Sequence, residues 1–337
     1  MPENSFKVSV IGAGSWGSVI ATMLAEKAPV TIWARRQDVA DEINHNHVNP
    51  TYLGQRKLSE KIYATCNLKT ACTDADLLIV AVPAKWIGNC LKDRQISLKK
   101  TSVVLSVVKG LEPTSNKRVT EILQDIWPGL PVGVLTGPNL AREVIDMQPT
   151  ASVVAYQDES VAKFIQELFL RDHWRLYRNN DVLGCEIAGA AKNVLAIASG
   201  IAAGLGFGTN TQASLLTRSL AELSRLGVAM GGNSETFAGL AGLGDLVATC
   251  ASEQSRNRQV GLALARGVSL DELQAGMHMV AEGVNTAKPL LAIAKRYGLE
   301  MPVAEEVAAV LFENKPAKNT IVSLMQREMK TEYGHYK

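Results

Sequence analysis

The sequence predicts an α/β fold in two parts, an N-terminal, mainly parallel sheet covered by helices and a C-terminal all-α domain. Up to about residue 180, short β-branched runs alternate with helical segments, as in sheets built from crossover units. From about Asp181 the pattern changes to long helices without such runs. A glycine-rich turn near the N-terminus is the third indication. We therefore predict one domain at residues 1–180 and a second at residues 181–337.

The glycine-rich turn directly follows the first predicted strand, Val8–Ile11. It contains Gly12, Gly14 and Gly17 in a G-x-G-x-x-G pattern, and the helix Ser18–Glu26 is predicted after it. This pattern is typical of the Rossmann fold, where the first-turn N–H groups of the helix bind a dinucleotide pyrophosphate. A glycine turn that holds no ligand is the alternative. We predict a dinucleotide site here.

The residues after the second predicted strand, Pro29–Trp33, indicate which nicotinamide cofactor is used. NAD sites usually place Asp or Glu at this point, whereas this chain has Arg35 and Arg36 after Ala34. Two guanidinium groups suit a 2′-phosphate, although ordinary surface arginines would give the same pattern. We predict a preference for NADP(H), with NAD(H) possible.

The next predicted strands end at residues that a parallel sheet would bring together. Pro83, Lys109 and Gly137 each stand at or just beyond a strand end, so we expect them in one crevice with Gly14. The strands are Leu77–Val82, Ser102–Val108, Val132–Leu135 and Ala151–Ala155.

The predicted helices of the second domain begin with an unusually apolar one. Ile187–Leu205 is long enough to resemble a membrane span, but it contains Lys192 and Asn193, and a lysine near the centre of a span costs about 3 kcal/mol. We predict a buried helix and no membrane insertion. The segment Gly204–Gly208 is either a hinge or a flexible connection. The predicted helices are Val182–Gly204, Thr211–Met230, Glu253–Ala265, Leu270–Ala275, Thr286–Tyr297, Glu305–Phe312 and Thr320–Lys330.

Two lysines are the first candidates for chemistry. Lys192 lies in a helix otherwise too apolar to hold a charge, and desolvation makes a lysine useful for proton transfer near neutral pH. Its alternative is a lysine whose stem reaches the surface. Lys109, followed by Gly110, ends a strand and suits an oxyanion or phosphate, unless it is simply solvated. Asn193 is placed to orient Lys192 or a substrate hydroxyl.

A further polar cluster follows a run of glycines. Asp245 and Thr249 share a helical face, although capping alone would explain the aspartate. Arg256 is suited to bind a phosphate bidentately, with Ser255 and Asn257 adding neutral hydrogen bonds. An ordinary surface cluster is the alternative.

Composition excludes several classes of function. A net charge of +2 without basic runs argues against nucleic-acid binding. The five scattered cysteines lack C-x-x-C spacing, so we expect reduced thiols in a cytoplasmic protein, with neither disulfides nor a metal site. The amino terminus has no signal-peptide pattern.

Taken in order, these motifs resemble the soluble, nicotinamide-dependent glycerol-3-phosphate dehydrogenases of bacterial type. The resemblance covers essentially the whole chain, and the ordered set is specific although no single motif is. It implies an all-α domain like that of 6-phosphogluconate dehydrogenase. The motifs are GAGSWG at 12–17, VVKGLE at 107–112, TGPNLAREV at 136–144, GAAKNVLAI at 189–197, GLGFGTNTQASLLTRSLAE at 204–222, GLAGLGDLVATC at 239–250, QSRNR at 254–258 and VAEGVNT at 280–286.

The resemblance implies reversible hydride transfer from NAD(P)H to C2 of dihydroxyacetone phosphate, without a metal. The product is sn-glycerol 3-phosphate, a glycerophospholipid precursor, and a homodimer is implied. Lys192 would be the general acid/base, Lys109 would assist at the substrate oxygen, and Asp245 would position Lys192.

Further contacts are implied on both sides of the crevice. The family pattern commonly has a hydroxyl residue at position 139, where this chain has Asn139. Substrate contacts are expected at Lys109, Gly137, Asn139, Lys192, Asn193, Asp245, Thr249, Ser255, Arg256 and Asn257. Cofactor contacts, from the glycine motif, the arginine pair and the resemblance, are expected at Gly12, Gly14, Ser15, Trp16, Gly17, Arg35, Arg36, Lys109, Ala141, Arg256, Val280 and Glu282.

Two other functions remain open at this point. Dehydrogenases of the β-hydroxyacid or 6-phosphogluconate type also pair a Rossmann domain with a helical domain, but the Gly-Leu-Gly-Asp-Leu and Ser-Arg-Asn blocks count against them. A sensor that binds NADP(H) without turnover is the non-enzymatic alternative. The presence of Lys192, Lys109 and Asp245 counts against that one.

Overall fold

The computed structural model describes residues 6–91, 96–276 and 281–327. An eight-stranded sheet forms the N-terminal part, with a short two-stranded hairpin beside it. The strands are β1 Val8–Ile11, β2 Val30–Trp33, β3 Val48–Asn49, β4 Gly54–Lys57, β5 Ile62–Thr65, β6 Leu77–Val80, β7 Val103–Ser106, β8 Val132–Thr136, β9 Thr150–Ala155 and β10 Trp174–Asn179.

The sheet has the strand order of a Rossmann fold. Its strands run β10-β9-β8-β7-β6-β1-β2-β5, and all neighbours from β5 to β8 are parallel. From β1 the strands are added on one side as far as β5, and from β6 onward they are added on the other side of β1. The crevice beyond the carboxyl ends of β1 and β6, where this change occurs, is the expected ligand site. Strands β9 and β10 are parallel to each other, and β9 is antiparallel to β8. The predicted, mainly parallel sheet is confirmed.

Helices cover the sheet and then form a separate helical domain, which confirms the predicted fold class. Those of the first part are α1 Ser15–Leu24, α2 Gln37–Asp41, α3 Pro50–Leu53, α4 Leu68–Cys72, α5 Ile87–Leu91, α6 Val119–Ile126, α7 Ala141–Ile145 and α8 Glu159–Phe169. Those of the second part are α9 Val182–Gly204, α10 Thr209–Ala229, α11 Ser234–Ala238, α12 Asp245–Ala251, α13 Arg256–Ala265, α14 Leu270–Gly276, α15 Glu282–Arg296, α16 Pro302–Phe312 and α17 Lys318–Met325.

Helix α9 is the core of the helical domain. It has the predicted bounds, and every residue from Gly184 to Ala202 is buried. Glycines let α13 approach it closely, because a Cβ on Gly200 would lie 2.1 Å from the carbonyl oxygen of Arg258. Among the described residues, α9 alone has the length and apolarity of a membrane span, and 89% of its most apolar window is buried inside the protein.

Several predicted boundaries are wrong, and some elements were missed. Helix α1 begins at Ser15 rather than Ser18, and α15 begins at Glu282 rather than Thr286, because each starts inside a glycine-containing motif. Strand β10 was missed since only alternate residues, Trp174 and Leu176, are buried. The end of the predicted helix Thr320–Lys330 lies partly outside the described residues.

Candidate active site

The glycine turn is shaped as a cradle for an anion. Gly12 has φ +116°, and a Cβ there would lie 2.8 Å from the carbonyl oxygen of Ala81. A Cβ on Gly17 would lie 1.9 Å from the carbonyl oxygen of Gly12, whereas one on Gly14 would meet nothing within 4 Å among the described residues. The space above Gly14 is therefore open at the N-terminus of α1, where no side chain in the described part of the chain forms a capping hydrogen bond. These residues fit a dinucleotide pyrophosphate.

The first two residues of α1 are held from outside the turn. The Ser15 hydroxyl donates to the carbonyl oxygen of Tyr52 at 3.1 Å. The Trp16 ring packs edge-on against Trp174, with 5.7 Å between ring centroids. Its buried indole Nε1 has no hydrogen-bond partner among the described residues. The earlier start of α1 thus places both predicted cofactor residues in its first turn.

A buried cluster of two lysines and one aspartate lies at the end of β7, facing α9. Lys192 Nζ lies 2.9 Å from Asp245 Oδ1, and Lys109 Nζ lies 2.7 Å from Asp245 Oδ2. Lys192 is only 5% exposed and Asp245 only 2%. The structure therefore brings together three residues that lie far apart in sequence and were singled out separately.

Asp245 is the shared counter-ion of the cluster and not a helix cap. It is the first residue of α12, and no side chain caps that helix. Burial alone would raise the pKa of its carboxyl group, but the charges of Lys109 and Lys192 outweigh burial and hold that pKa below its ordinary value. Burial, partly offset by Asp245, lowers the pKa of Lys109 to about 8. One carboxylate between two ammonium groups leaves net positive charge for an anionic substrate.

The two ammonium groups differ in how many donors remain unused. An ammonium has three donors. Lys109 Nζ donates to Gly137 O at 2.8 Å and Asn139 Oδ1 at 2.7 Å, in addition to Asp245. Lys192 Nζ has only Asp245 and the Thr249 hydroxyl, at 2.6 Å, as partners among the described residues. Lys192 therefore keeps one donor for a ligand, whereas Lys109 acts on one mainly through its charge.

The side chains of Asn193 and Asn257 hold backbone groups in place at the base of the site. Asn193 Nδ2 donates to the carbonyl oxygen of Lys109 at 2.7 Å, and its Oδ1 accepts from Asn257 Nδ2 at 2.8 Å. Asn257 Oδ1 in turn accepts from the Gly283 N–H at 2.9 Å. Asn193 thus contacts the strand end that carries Lys109 rather than Lys192 itself. Its predicted contact with a substrate hydroxyl stays a prediction.

The predicted phosphate-binding triplet lies at the N-terminus of α13. The Ser255 side chain caps that helix by accepting from the Arg258 N–H at 3.3 Å. Arg256 is the first helical residue, and its side chain reaches solvent. Surrounding protein groups desolvate the guanidinium and lower its pKa, and the charge of Glu282 partly offsets this effect. Of the triplet, the guanidinium of Arg256 is the group best placed to meet a ligand.

Besides Trp16 Nε1, two further buried polar atoms at the site have no hydrogen-bond partner among the described residues. They are Asn139 Nδ2 and Glu282 Oε2. Glu282 Oε1 accepts from the Ala84 N–H at 3.2 Å, and burial raises the pKa of its carboxyl group to about 7. Buried polar atoms are almost always hydrogen-bonded, so both atoms indicate a ligand or solvent at this position. Ala141, at the start of α7, follows Asn139 closely, and Val280 lies outside the described residues.

Two residues that shape the lysine–aspartate cluster, Thr136 and Gly189, were not singled out individually from the sequence. The Thr136 hydroxyl, at the end of β8, donates to Asp245 Oδ2 at 3.4 Å. A Cβ on Gly189 would lie 2.8 Å from that hydroxyl oxygen, so this glycine lets α9 approach the strand. The place of Thr136 directly before Gly137 was an available signal. Among the described residues, no group of three or more His, Cys, Asp or Glu is placed to hold a metal ion.

Comparison with known proteins gives one consistent family. Residues 7–162 match the family model described as NAD-dependent glycerol-3-phosphate dehydrogenase N-terminus, and residues 181–322 match the corresponding C-terminus. The chain is 45% identical to glycerol-3-phosphate dehydrogenase [NAD(P)+] 2 of Sphingopyxis alaskensis, over 97% of each chain. It is 44% identical to the enzyme of Citrifermentans bemidjiense, over 97% of this chain and 98% of the other.

A solved structure agrees with these relatives. The crystal structure of glycerol-3-phosphate dehydrogenase from Coxiella burnetii has a TM-score of 0.92 and 34% identity to this chain, and covers 96% of this chain and 99% of its own. The similarity therefore extends through both domains and through every element that carries the site.

Proposed function

The chain belongs to the NAD-dependent glycerol-3-phosphate dehydrogenase family, and we propose that Lys192, Lys109 and Asp245 form its catalytic centre. It is an oxidoreductase that interconverts dihydroxyacetone phosphate and sn-glycerol 3-phosphate with a nicotinamide cofactor. Family membership removes the β-hydroxyacid and 6-phosphogluconate alternatives. The observation that carries the residue assignment is the buried cluster in which Asp245 lies within 2.9 Å of Lys192 and within 2.7 Å of Lys109.

Reduction of a ketone adds a hydride to carbon and a proton to oxygen. When bound, the reduced nicotinamide cofactor would supply the hydride that C2 receives. Lys192, protonated, uses its remaining donor to hydrogen-bond the C2 oxygen and gives it the proton as the alkoxide develops. The positive charge of Lys109 stabilises that alkoxide in a water-poor site. In the reverse direction, neutral Lys192 takes the hydroxyl proton of sn-glycerol 3-phosphate.

Neighbouring residues hold this geometry. Thr249 accepts from Lys192 and donates to the backbone carbonyl oxygen of Asp245 at 2.6 Å, which fixes the ammonium group. Asn139 fixes Lys109 through Oδ1, and both N–H groups of its Nδ2, which has no partner among the described residues, are available to a substrate oxygen. We assign the substrate phosphate to Arg256, supported by Ser255 and Asn257 at the N-terminus of α13. Through its hydrogen bond to the Lys109 carbonyl oxygen, Asn193 holds the segment after β7 against α9.

We assign the cofactor to the crevice that opens at the glycine turn. Gly12, Gly14 and Gly17 shape the pyrophosphate site, and α1 contributes its first-turn N–H groups. The other side of the crevice is formed where α15 begins, and there Glu282 joins the two domains by accepting from the Ala84 N–H. The remaining cofactor contacts that we propose are Ser15, Trp16, Arg35, Arg36, Lys109, Ala141, Arg256 and Val280.

We propose that NADP(H) is preferred, because Arg35 and Arg36 follow β2, where the cofactor ribose is bound in this fold. Replacing both with glutamine should lower the NADPH-to-NADH ratio of kcat/KM about tenfold or more, since hydrogen bonds to charged groups are lost. The double variant Lys61→Gln/Lys69→Gln removes two exposed charges elsewhere on this domain and is the control. An unchanged ratio in the arginine variant would reject the preference.

Consumption of NADPH by the purified protein, dependent on dihydroxyacetone phosphate, tests the assigned reaction.

We further propose a cytoplasmic homodimer with its domain boundary near residue 180. All the cysteines are free thiols, which is typical of a reducing compartment. The sedimentation coefficient of the purified protein tests the dimer, because a monomer of 36.3 kDa sediments distinctly more slowly.

A further inference from the structure

We propose that Asp38 is a determinant of cofactor specificity, acting against NADPH by neutralising Arg36 and by repelling a 2′-phosphate. This inference rests on the proposed cofactor site at the end of β2. Asp38 lies in the first turn of α2, two positions after Arg36. Sequence reasoning had counted both arginines as donors and had not considered this carboxylate.

The Asp38 carboxylate and the Arg36 guanidinium form a bidentate ion pair. Arg36 Nε donates to Asp38 Oδ1 at 3.1 Å, and Arg36 Nη2 lies 2.9 Å from Asp38 Oδ2. The same Nη2 donates to the Thr51 hydroxyl at 3.0 Å. Two of the three guanidinium nitrogens are therefore engaged within the protein. Among the described residues, Nη1 is the one guanidinium nitrogen without a partner, and the two nitrogens that could bind a phosphate bidentately already bind the Asp38 carboxylate.

Arg35 differs from Arg36 in this respect. It is exposed and has no hydrogen bond or ion pair with the residues that the structure describes. The two arginines and Asp38 together carry a formal charge of +1 rather than +2. A phosphate monoester carries a charge of about −1.5 to −2 at neutral pH, so this difference bears directly on how well it is bound.

The consequence differs for the two cofactors. A carboxylate near the ribose repels a 2′-phosphate, whereas it can accept a hydrogen bond from a 2′-hydroxyl, as the acidic residue of NAD sites does. Arg35 attracts the phosphate of NADPH, and Asp38 opposes that attraction while tolerating NADH. The site is thus suited to both cofactors. Its preference for NADPH over NADH is smaller than the preference that two arginines without Asp38 would give.

The pair is open to solvent, which limits the size of the effect. The side chains of Arg36 and Asp38 are 44% and 68% exposed. Water and salt therefore screen the repulsion, and we expect an effect of about tenfold rather than a thousandfold. The effect should shrink as ionic strength rises.

The same helix offers a matched control. Asp41 is also exposed, and its Oδ1 accepts from Gln37 Nε2 at 2.9 Å. Among the described residues, no side-chain hydrogen bond or ion pair joins it to Arg36. Asp41→Asn therefore changes the net charge of α2 by the same amount as Asp38→Asn, while leaving the Arg36 guanidinium paired.

The experiment measures dissociation constants for NADPH and NADH by quenching of tryptophan fluorescence, without substrate. In Asp38→Asn, we expect NADPH to bind about fivefold more tightly and NADH about twofold more weakly, which raises the NADPH preference about tenfold. Asp41→Asn should change that preference less than twofold. Repeating the titrations at high ionic strength should reduce the effect of Asp38→Asn.

A preference within twofold of the parent in Asp38→Asn, or a fall in it, would overturn the proposal. An equal rise in Asp41→Asn would also overturn it, by assigning the effect to net charge. Because no substrate is present, the result does not depend on the reaction. A parent that binds both cofactors but turns over no dihydroxyacetone phosphate rejects the proposed function, while the specificity of the site is still decided by the two variants.

Discussion

Lys192→Ala is expected to lower kcat for reduction of dihydroxyacetone phosphate by about 1,000-fold or more, while the affinity for NADPH changes less than about threefold. Positioned general acids contribute about 100- to 10,000-fold, and the lost charge removes stabilisation of the alkoxide as well. Lys192 is the member of the cluster with a donor left for substrate, so its role is not taken over by Lys109. Steady-state kinetics and a separate NADPH titration measure the two quantities.

The Lys192 variant should fold, which makes this result interpretable. Removing one partner of a buried ion pair usually costs about 3 to 5 kcal/mol because a charge is left unpaired. Here Asp245 keeps Lys109 at 2.7 Å, so the carboxylate stays compensated. Lys192→Met, which retains most of the stem volume, separates lost packing from lost proton transfer. A kcat within tenfold of the parent in both variants would reject Lys192 as the general acid.

Arg256→Ala is expected to raise KM for dihydroxyacetone phosphate about 100-fold, with a much smaller rise in KM for NADPH. Hydrogen bonds to charged groups are worth about 1.5 to 3 kcal/mol each, which corresponds to roughly 10- to 150-fold. Arg256 is exposed at the N-terminus of α13, so truncation leaves no buried void. The measurement is KM for each ligand at saturation with the other.

The matched control for Arg256 is at the other end of the same helix. Arg266 is the exposed C-cap residue of α13, ten positions away and therefore about 15 Å along the axis. Arg266→Ala should leave both KM values nearly unchanged. If Arg256→Ala raised the two KM values equally, the guanidinium would belong to the cofactor site rather than to the substrate phosphate.

Much of the fold followed from periodicity in the sequence. The buried strands β1, β6 and β7 are nearly continuous apolar runs, and a parallel sheet requires such runs because both of its faces are covered. Helix α9 was predicted with its observed bounds because its small apolar residues continue without interruption to Gly204. The β3–β4 hairpin and strand β10 were not predicted. Strand β3 has only two residues, and at least half of the residues in β4 and in β10 are exposed, so neither gives an apolar run.

The members of the buried cluster could be singled out from the sequence, but their arrangement could not. Lys192, Lys109 and Asp245 each stood out through local context, such as a lysine in an apolar helix. That Asp245 is shared by both lysines depends on contacts across 136 positions in the chain, which no local pattern encodes. For the same reason, the hydrogen-bond partner of Asn193 could not be predicted from the sequence. Its neighbour in sequence is Lys192, but the geometry of α9 directs its side chain to the Lys109 carbonyl oxygen instead.

Cofactor specificity illustrates a different limit. The pair Arg35 and Arg36 reads as a binding site for a 2′-phosphate, because sequence shows the charges and not their partners. The structure shows Arg36 closed on Asp38, two positions further on. Whether a charge is available to a ligand depends on side-chain orientation at the start of α2, which sequence alone does not specify.

The most direct test of the proposed function is oxidation of NADPH by the purified protein with dihydroxyacetone phosphate. Unphosphorylated dihydroxyacetone and a β-keto acid are the comparison substrates, and a parallel series uses NADH. We expect fast turnover with dihydroxyacetone phosphate and with none of the other substrates, because the positively charged cluster and Arg256 require the phosphate. Absence of turnover with dihydroxyacetone phosphate, despite tight binding of NADPH, would contradict the proposed function and would favour a protein that senses the cofactor without using it.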